Sequence, residues 1–239
     1  DSTNIIDNSL VSVITTIDYD HVDILGNTLD KIAYEKAGII KENGLVISYP
    51  QEEEAFNVLK EVSKDKNADL IRCPMENINI RELNEFGGIF DFKYNNKISS
   101  EIKIKQLGKY QIYNASLALF TLLNLRDRKL IQITDEEIRR GLEKTKWKGR
   151  LEVLRRNPTF LIDGAHNLQG AKTLADSIDM FKHNRLIMCV GILGDKDVEH
   201  MVEILAPLAD EIIVTEVNMP RKMKAESLEE IIGKYNPNT

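Results

Sequence analysis

Apolar and polar positions along the chain divide it into short β-branched runs and longer amphipathic segments. SVITTI (Ser12–Ile17) predicts a buried strand, and it ends in the polar loop DYDH. Leu29, Ile32, Ala33 and Lys36 then fall at i, i+3, i+4 and i+7, the spacing of one helix face over Leu29–Ala37. Gly38 stands where a helix commonly stops, in a C′ role. GLVISYP (Gly44–Pro50) predicts the next strand. QEEEAFNVLKEVSKDKNA predicts an amphipathic helix with acids in its first turn, as the helix dipole favours. Strand, helix, strand, helix is the rhythm of a parallel sheet.

From about Asn77 to Lys105 the pattern changes to alternation with an Asn-Asn turn, which predicts one or two antiparallel hairpins. Gln111–Leu125 predicts a long apolar core helix. Ile133–Thr145 predicts another, with Thr134 as N-cap and Glu137 at the capping-box position. After WKGRLEVLRRNP the βα rhythm restarts. TFLID, Arg185–Leu193 and Glu211–Val217 read as strands, separated by the loops GAHN and GDKD and two helices, LQGAKTLADSIDMF and VEHMVEILAPLA. The division expected is therefore two α/β units, 1–148 and 149–239, the second smaller and carrying fewer strands than a doubly wound domain usually has.

Composition narrows the classes. The net charge of −6 on 239 residues disfavours a sequence-independent nucleic-acid binder, which needs a basic surface. The two cysteines, Cys73 and Cys189, are far apart, so a disulfide framework is excluded; both are expected to be buried or half-buried thiols in a cytoplasmic protein. No apolar run has the length of a membrane span, and no signal peptide is expected. The chain opens without Met and reads as a piece of something longer.

Lys36 poses the first chemical question, because a lysine occupies a position of an otherwise apolar stripe. One reading is a snorkelling side chain at a helix C-terminus, which also welcomes a cation. The other is a desolvated amine, able to act as a nucleophile or to add carbon dioxide and become a metal-holding carbamate. Spacing does not choose between them. His21, beside Asp20 in a strand-end loop, could ligate a divalent metal or be a solvated ring. DGAHN (Asp163–Asn167) lies between a strand and a helix. There an acid can accept from ribose hydroxyls, and a histidine at a helix opening can meet a phosphate; an ordinary capped βα turn is the alternative. Arg150 lies at the junction of the two units, as a phosphate-reaching hinge residue or a linker charge. Lys196 of GDKD could bind a carboxylate or be a solvated loop charge. No G-x-x-x-x-G-K-S/T, G-x-S-x-G or H-E-x-x-H occurs, and cysteine ligands for zinc are lacking.

Taken together, DSTNII, DYDHVDILGNTLDKIAYEKAGIIK, YQIYNASLAL, KGRLEVL, LIDGAHN and GILGDKD, in that order, resemble the folylpolyglutamate synthase/dihydrofolate synthase family of the Mur ligase superfamily. The resemblance implies an α/β chain: a partial Mur-ligase-like central ATPase domain, then a smaller Rossmann-like glutamate ligase domain. It implies that Lys36 is carbamylated and, with His21, holds catalytic Mg2+. It also implies that Gln111 and Asn114 contact adenine and that Arg150 reaches the ATP phosphates. Asp163 and His166 would lie by the ribose and phosphates, and Lys196 near the incoming glutamate. The implied reaction is ATP-dependent amide ligation of L-glutamate to a folate or dihydropteroate carboxylate. The implied protein is cytoplasmic and monomeric, with no nucleic-acid or membrane partner. The family's phosphate loop would lie upstream of Asp1, so this chain alone is expected to be inactive. Another Mur-type amide ligase, or a non-catalytic nucleotide-binding remnant, are the alternatives.

Overall fold

The computed structural model describes residues 4–19 and 28–237, which pack into two units. The first comprises residues up to Glu82, Ile89–Ile104 and Gln111–Thr145; the second comprises Leu83–Gly88, Lys105–Tyr110 and the chain from Lys146 onward.

The first unit opens with β1 (Ser12–Ile14), α1 (Leu29–Ala37), β2 (Leu45–Ser48), α2 (Glu53–Asp65) and β3 (Asp69–Arg72). The three strands form a parallel sheet in the order β1-β2-β3, with Val13, Ile47 and Ile71 in register. All four residues of β2 are buried, as expected for a central parallel strand covered on both faces. Ile32, Ala33 and Ala37 of α1 join Ala55 and Leu59 of α2 in one apolar cluster with Ile14 and Val46.

Three readings change here. The first strand stops at Ile14 rather than Ile17, because the Gln51 amide takes over the next backbone groups. Its Nε2 donates to Thr15 O at 2.8 Å, and its Oε1 accepts from Ile17 N at 2.8 Å. Gly38 keeps right-handed backbone (φ −55°), so the helix ends in a tightened turn, with Gly38 N–H donating to Glu35 O, and not in a left-handed cap. The short edge strand β3 escaped the pattern, having four residues with no fully buried position.

A three-stranded sheet follows, β4 (Ile78–Asn84), β5 (Gly87–Tyr94) and β6 (Lys97–Ile104), with β5 central. The two-residue link Asn95-Asn96 makes β5 and β6 antiparallel. Both residues have positive φ, 46° and 61°, as a type I′ hairpin turn requires, and asparagine tolerates that region. Asp91 lies buried on β5. Its Oδ2 accepts from Arg81 Nε at 2.7 Å and Asn79 Nδ2 at 3.3 Å, and its Oδ1 accepts from Glu101 N at 2.8 Å. Burial pushes the Asp91 carboxyl up, but the Arg81 hydrogen bond, then those of the Glu101 backbone and Asn79, outweigh it and hold the group below its ordinary range. A depressed folded-state value stabilises the fold above the unfolded value and loses that contribution as pH falls. Asp91→Asn is therefore expected to lower unfolding stability by about 1–3 kcal/mol near neutral pH. The gap between variant and parent should narrow below about pH 4, read by urea unfolding at both pH values.

α3 (Lys109–Asp127) is the long apolar helix, with Ile112, Leu119, Phe120 and Leu123 among its buried residues. α4 (Asp135–Lys144) carries the expected capping box. Glu137 N–H donates to Thr134 Oγ1 at 3.2 Å, and Thr134 N–H donates to Glu137 Oε2 at 2.9 Å.

The second unit contains β7 (Glu152–Arg156), β8 (Thr159–Ile162), α5 (Leu168–Ile178), β9 (Ile187–Val190), α6 (Val198–Leu205), β10 (Glu211–Val214) and α7 (Ala225–Ile232). β9 and β10 pair in parallel, with Cys189 opposite Ile213. β8 instead pairs antiparallel with β7, so TFLI closes a hairpin with the residues before it. Neither β7 nor α7 was read from the pattern. The core gathers Ala171 of α5, Met201, Val202 and Leu205 of α6, Ile212 of β10, and Leu228 and Ile232 of α7. Cys73 is buried, and burial pushes its thiol up to about 12. Cys189 is exposed on β9, contrary to expectation, because alternate residues of that strand face away from the core. No described helix is long and apolar enough to cross a membrane.

Candidate functional site

β8 ends at Ile162 and delivers Asp163–His166 into the N-terminus of α5. Asn167 caps that helix, its Oδ1 accepting from Gly170 N at 2.8 Å. The Gly164 carbonyl gathers two cationic or protonatable side chains: Arg150 Nη1 donates to it at 3.1 Å, and His166 Nδ1 lies 2.9 Å from it. A carbonyl oxygen only accepts, so the proton is on Nδ1. The neutral ring then presents Nε2 as an acceptor, and a protonated ring presents it as a donor. A side chain at Gly164 would crowd this arrangement, since a Cβ there would lie 3.3 Å from Gly149 O.

Arg150 is delivered by an unusual backbone. Gly149 has φ +71° and Leu151 has φ +44°, so the arginine sits between two left-handed residues. For leucine that conformation costs about 1–2 kcal/mol, and it persists only where the surroundings over-determine it. Here Leu151 is 2% exposed and packs with Leu107 and Phe181. Its N–H donates to Asp163 Oδ2 at 2.8 Å, and Gly164 N–H donates to Gly149 O at 2.8 Å. Asp163 Oδ1 accepts from Ala165 N at 2.8 Å. Both carboxylate oxygens thus hold backbone groups.

These residues line one cleft of about 210 Å³. Arg150, Asp163 and His166 lie along it together with Tyr110 and with Gly170 and Thr173 of α5. An arginine, a histidine and a helix N-terminus converging on one cavity suit an anion of phosphate type.

The remaining expected residues lie elsewhere. Gln111, buried, and Asn114, exposed, sit one turn apart on α3 in the first unit, with Asn114 Nδ2 donating to Gln111 Oε1 at 3.2 Å. Lys196 lies in the turn between β9 and α6, outside the cleft lining. The acids on either side of it are engaged, Asp195 with Arg221 and Asp197 with His200. Lys36 is in the last turn of α1 and is exposed. The apolar stripe ends at Ala33 and shifts to Ala37 and Ile40, so of the two readings of Lys36 the described residues show the exposed side chain and not the desolvated amine. A helix has 3.6 residues per turn, and one step around the face separates Lys36 from the buried Ala37. His21 lies outside the described residues. Among the described residues no group of three His, Cys, Asp or Glu side chains is placed to hold a metal.

Tyr110, Leu151 and Thr173 were not anticipated as cleft residues. Thr173 had a signal, since Gly170, Thr173 and Leu174 follow helical spacing along one face of α5. Tyr110 had only its place directly before Gln111.

Comparison with known proteins completes the picture. Residues 6–122 match the Mur ligase middle domain, and residues 149–238 match the Mur ligase glutamate ligase domain. A Bacillus subtilis dihydrofolate synthase/folylpolyglutamate synthase is 34% identical over 95% of this chain and 53% of its own length. A Mycobacterium tuberculosis folylpolyglutamate synthase complexed with ADP superposes with a TM-score of 0.85 at 31% identity, over 98% of this chain and 53% of that one. E. coli FolC in complex with DHPP and ADP superposes with a TM-score of 0.82 at 26% identity, over 97% of this chain and 53% of that one. The chain spans about half the length of the curated relatives it matches. With both domain types matched in order and the fold shared throughout, the chain belongs to the Mur ligase superfamily, in its folylpolyglutamate/dihydrofolate synthase family.

Proposed function

We propose that this chain is part of an ATP-dependent C–N ligase that joins L-glutamate to the carboxylate of a folate or of dihydropteroate. The observation that carries the reading is the cleft in which Arg150 and His166 are held on one carbonyl, beside Asp163, at the N-terminus of α5. In this reading the cleft takes the phosphates and ribose of the nucleotide. Gln111 and Asn114 serve the adenine, Lys196 serves the incoming glutamate, and residues 1–148 and 149–239 form the central and glutamate ligase domains. The acceptor carboxylate oxygen attacks the γ-phosphorus and ADP leaves. The glutamate amine then attacks the acyl carbon, phosphate leaves, and the nitrogen gives up a proton. Arg150 orients the phosphates and offsets their charge, which is most of what catalysis of phosphoryl transfer requires.

Among the described residues, magnesium fits on one condition. It takes oxygen ligands, and the described residues offer no carboxylate cluster, so a plain lysine ammonium at position 36 does not suit it. A carbamate on Lys36 would supply the oxygen donor, and it forms only from the neutral amine. Lys36 as carbamate and His21 would hold the ion, which when bound neutralises charge on the transferring phosphoryl group. The protein on this reading is a cytoplasmic monomer.

The test is ATP-dependent incorporation of labelled L-glutamate by the full-length protein, with dihydropteroate and tetrahydrofolate as separate acceptors. Incorporation into one acceptor names the activity, and into both makes the enzyme bifunctional. Incorporation into neither sinks the folate reading and leaves a Mur-type ligase with another acceptor.

A further inference from the structure

We propose that Arg221, in the loop between β10 and α7, is a positioning residue for Lys196, and that through this arginine the loop sets the affinity for the incoming amino acid. The inference rests on the reading of Lys196 as the residue that serves the glutamate, and it names what holds that lysine in place. β9 and β10 are neighbours and run parallel, so their C-terminal ends deliver residues 191–197 and 215–224 to the same edge of the sheet. That edge is where α/β sheets place their ligands. The two loops run so close that a Cβ at Gly191 would lie 2.9 Å from Thr215 O. Lys196 is carried on a short turn closed by local backbone bonds: its N–H donates to Leu193 O at 3.2 Å, and Val198 N–H donates to its carbonyl at 2.8 Å. Arg221 grips that turn twice from the neighbouring loop. Its carbonyl accepts from Gly194 N–H at 2.8 Å, and its guanidinium pairs with Asp195, the residue directly before Lys196. Beside it, Lys222 bridges to Leu193, and Met223 N–H donates to Ile192 O at 3.2 Å.

The grip reaches back to the core of the unit. Glu216 pairs with Lys222, and its Oε1 accepts from Ala225 N, at the start of α7, at 3.2 Å. Leu228 and Ile232 of that helix are buried in the apolar cluster. The acid on the far side of Lys196 is held locally, Asp197 Oδ1 lying 2.7 Å from Nδ1 of His200 on α6. The Asp195–Arg221 pair is the long-range anchor, joining side chains twenty-six positions apart. An exposed ion pair of this kind adds little to stability, so its loss leaves the fold standing. Placement is more demanding than stability, because a displacement of about 1 Å at a positioning group costs up to about a hundredfold. Without the pair, the turn keeps its backbone bonds and loses the side-chain tie next to Lys196.

The experiment is steady-state ligation of labelled L-glutamate by the full-length protein, with L-glutamate and ATP varied in turn. The variants are Arg221→Gln, Asp195→Asn, Lys196→Gln and the double Arg221→Gln/Lys196→Gln. Arg221→Gln and Asp195→Asn, which break the same pair from its two sides, are each expected to raise KM for L-glutamate about tenfold and to leave KM for ATP within about twofold. Arg221→Lys, which keeps a charge facing Asp195, is expected to stay within about threefold of the unmodified chain. The double variant is expected to lie within about twofold of Lys196→Gln alone, because Arg221 acts through that lysine. An unchanged KM for L-glutamate in Arg221→Gln and Asp195→Asn, equal rises in both KM values, or effects of the Arg221 and Lys196 substitutions that multiply would overturn the proposal. If one of the two pair-breaking variants does not fold, the other decides by the same criterion. An unchanged KM for L-glutamate in Lys196→Gln overturns the reading of that lysine, and this proposal with it. Absence of ligation by the unmodified protein overturns the ligase reading itself and this proposal with it.

Discussion

Lys36→Gln in the full-length protein is expected to lower the rate of glutamate ligation by about a thousandfold, the scale of removing a preorganised charge from a phosphoryl-transfer site. The fold should not suffer. Lys36 is exposed and stands outside the apolar cluster under α1, and exposed substitutions of this kind shift stability by only about 0.5 kcal/mol. The decisive comparison is Lys36→Arg. A snorkelling cation at the end of α1 is replaced well by arginine, which keeps the charge and the long apolar stem. A carbamate is not, because the guanidinium stays protonated and does not take up carbon dioxide. Activity of Lys36→Arg within about threefold of the parent would show that the lysine serves only as a helix-end cation. Activity as low as that of Lys36→Gln, partly restored to Lys36→Ala by added short carboxylic acids, is the outcome expected of a carbamate ligand. The exposure of Lys36 favours such rescue, since among the described residues none covers the position an added carboxylate must reach.

Phe120→Ala is expected to remove about 3–5 kcal/mol of unfolding stability, measured by urea denaturation. Phe120 is 5% exposed on α3 and meets two rings of β5 edge-on. These are Phe92 at 6.2 Å and 72°, and Tyr94 at 5.7 Å and 79°. Each such pair contributes about 0.5–1.5 kcal/mol beyond the apolar area it buries, so the truncation loses both area and geometry. Phe92 is fully buried and cannot collapse outward to fill the space, which keeps the cavity term large. Phe120→Leu, which keeps much of the volume but neither ring contact, should fall between parent and alanine. A loss for Phe120→Ala below about 1.5 kcal/mol would mean that α3 does not depend on this contact.

Much of the fold was legible because its causes are local. Thr134 and Glu137 cap α4 through groups three residues apart, and Asn95-Asn96 turn the β5–β6 hairpin through their own tolerance of positive φ. α1 runs over Leu29–Ala37 as the spacing predicts, since periodicity and helix geometry are the same fact. The motif DGAHN was likewise readable as a strand-to-helix turn with Asn167 as cap. Local signals failed where another segment supplied the partner. SVITTI has strand composition throughout, yet Gln51, thirty-four residues beyond Ile17, ends the ladder at Ile14. TFLI reads as the first strand of a new parallel sheet, and it pairs instead with the residues just before it.

The candidate site divides along the same line. The amino-acid sequence by itself determined which residue types are available and on which elements they stand: a lysine at the end of α1, Gln111 and Asn114 one turn apart on α3, and an acid and a histidine at the opening of α5. Only the tertiary structure decided what they face. It placed Lys36 in solvent, brought Tyr110 beside residues forty and more positions away, and joined Arg150 to Gly164 across fourteen residues. It also set Leu151 in a conformation that leucine avoids, held by a carboxylate twelve residues on. The physical reason is that periodicity and capping act within one or two turns, whereas burial, strain and the occupancy of a carboxylate depend on whichever segments arrive beside it, and those are chosen by the packing of the whole unit.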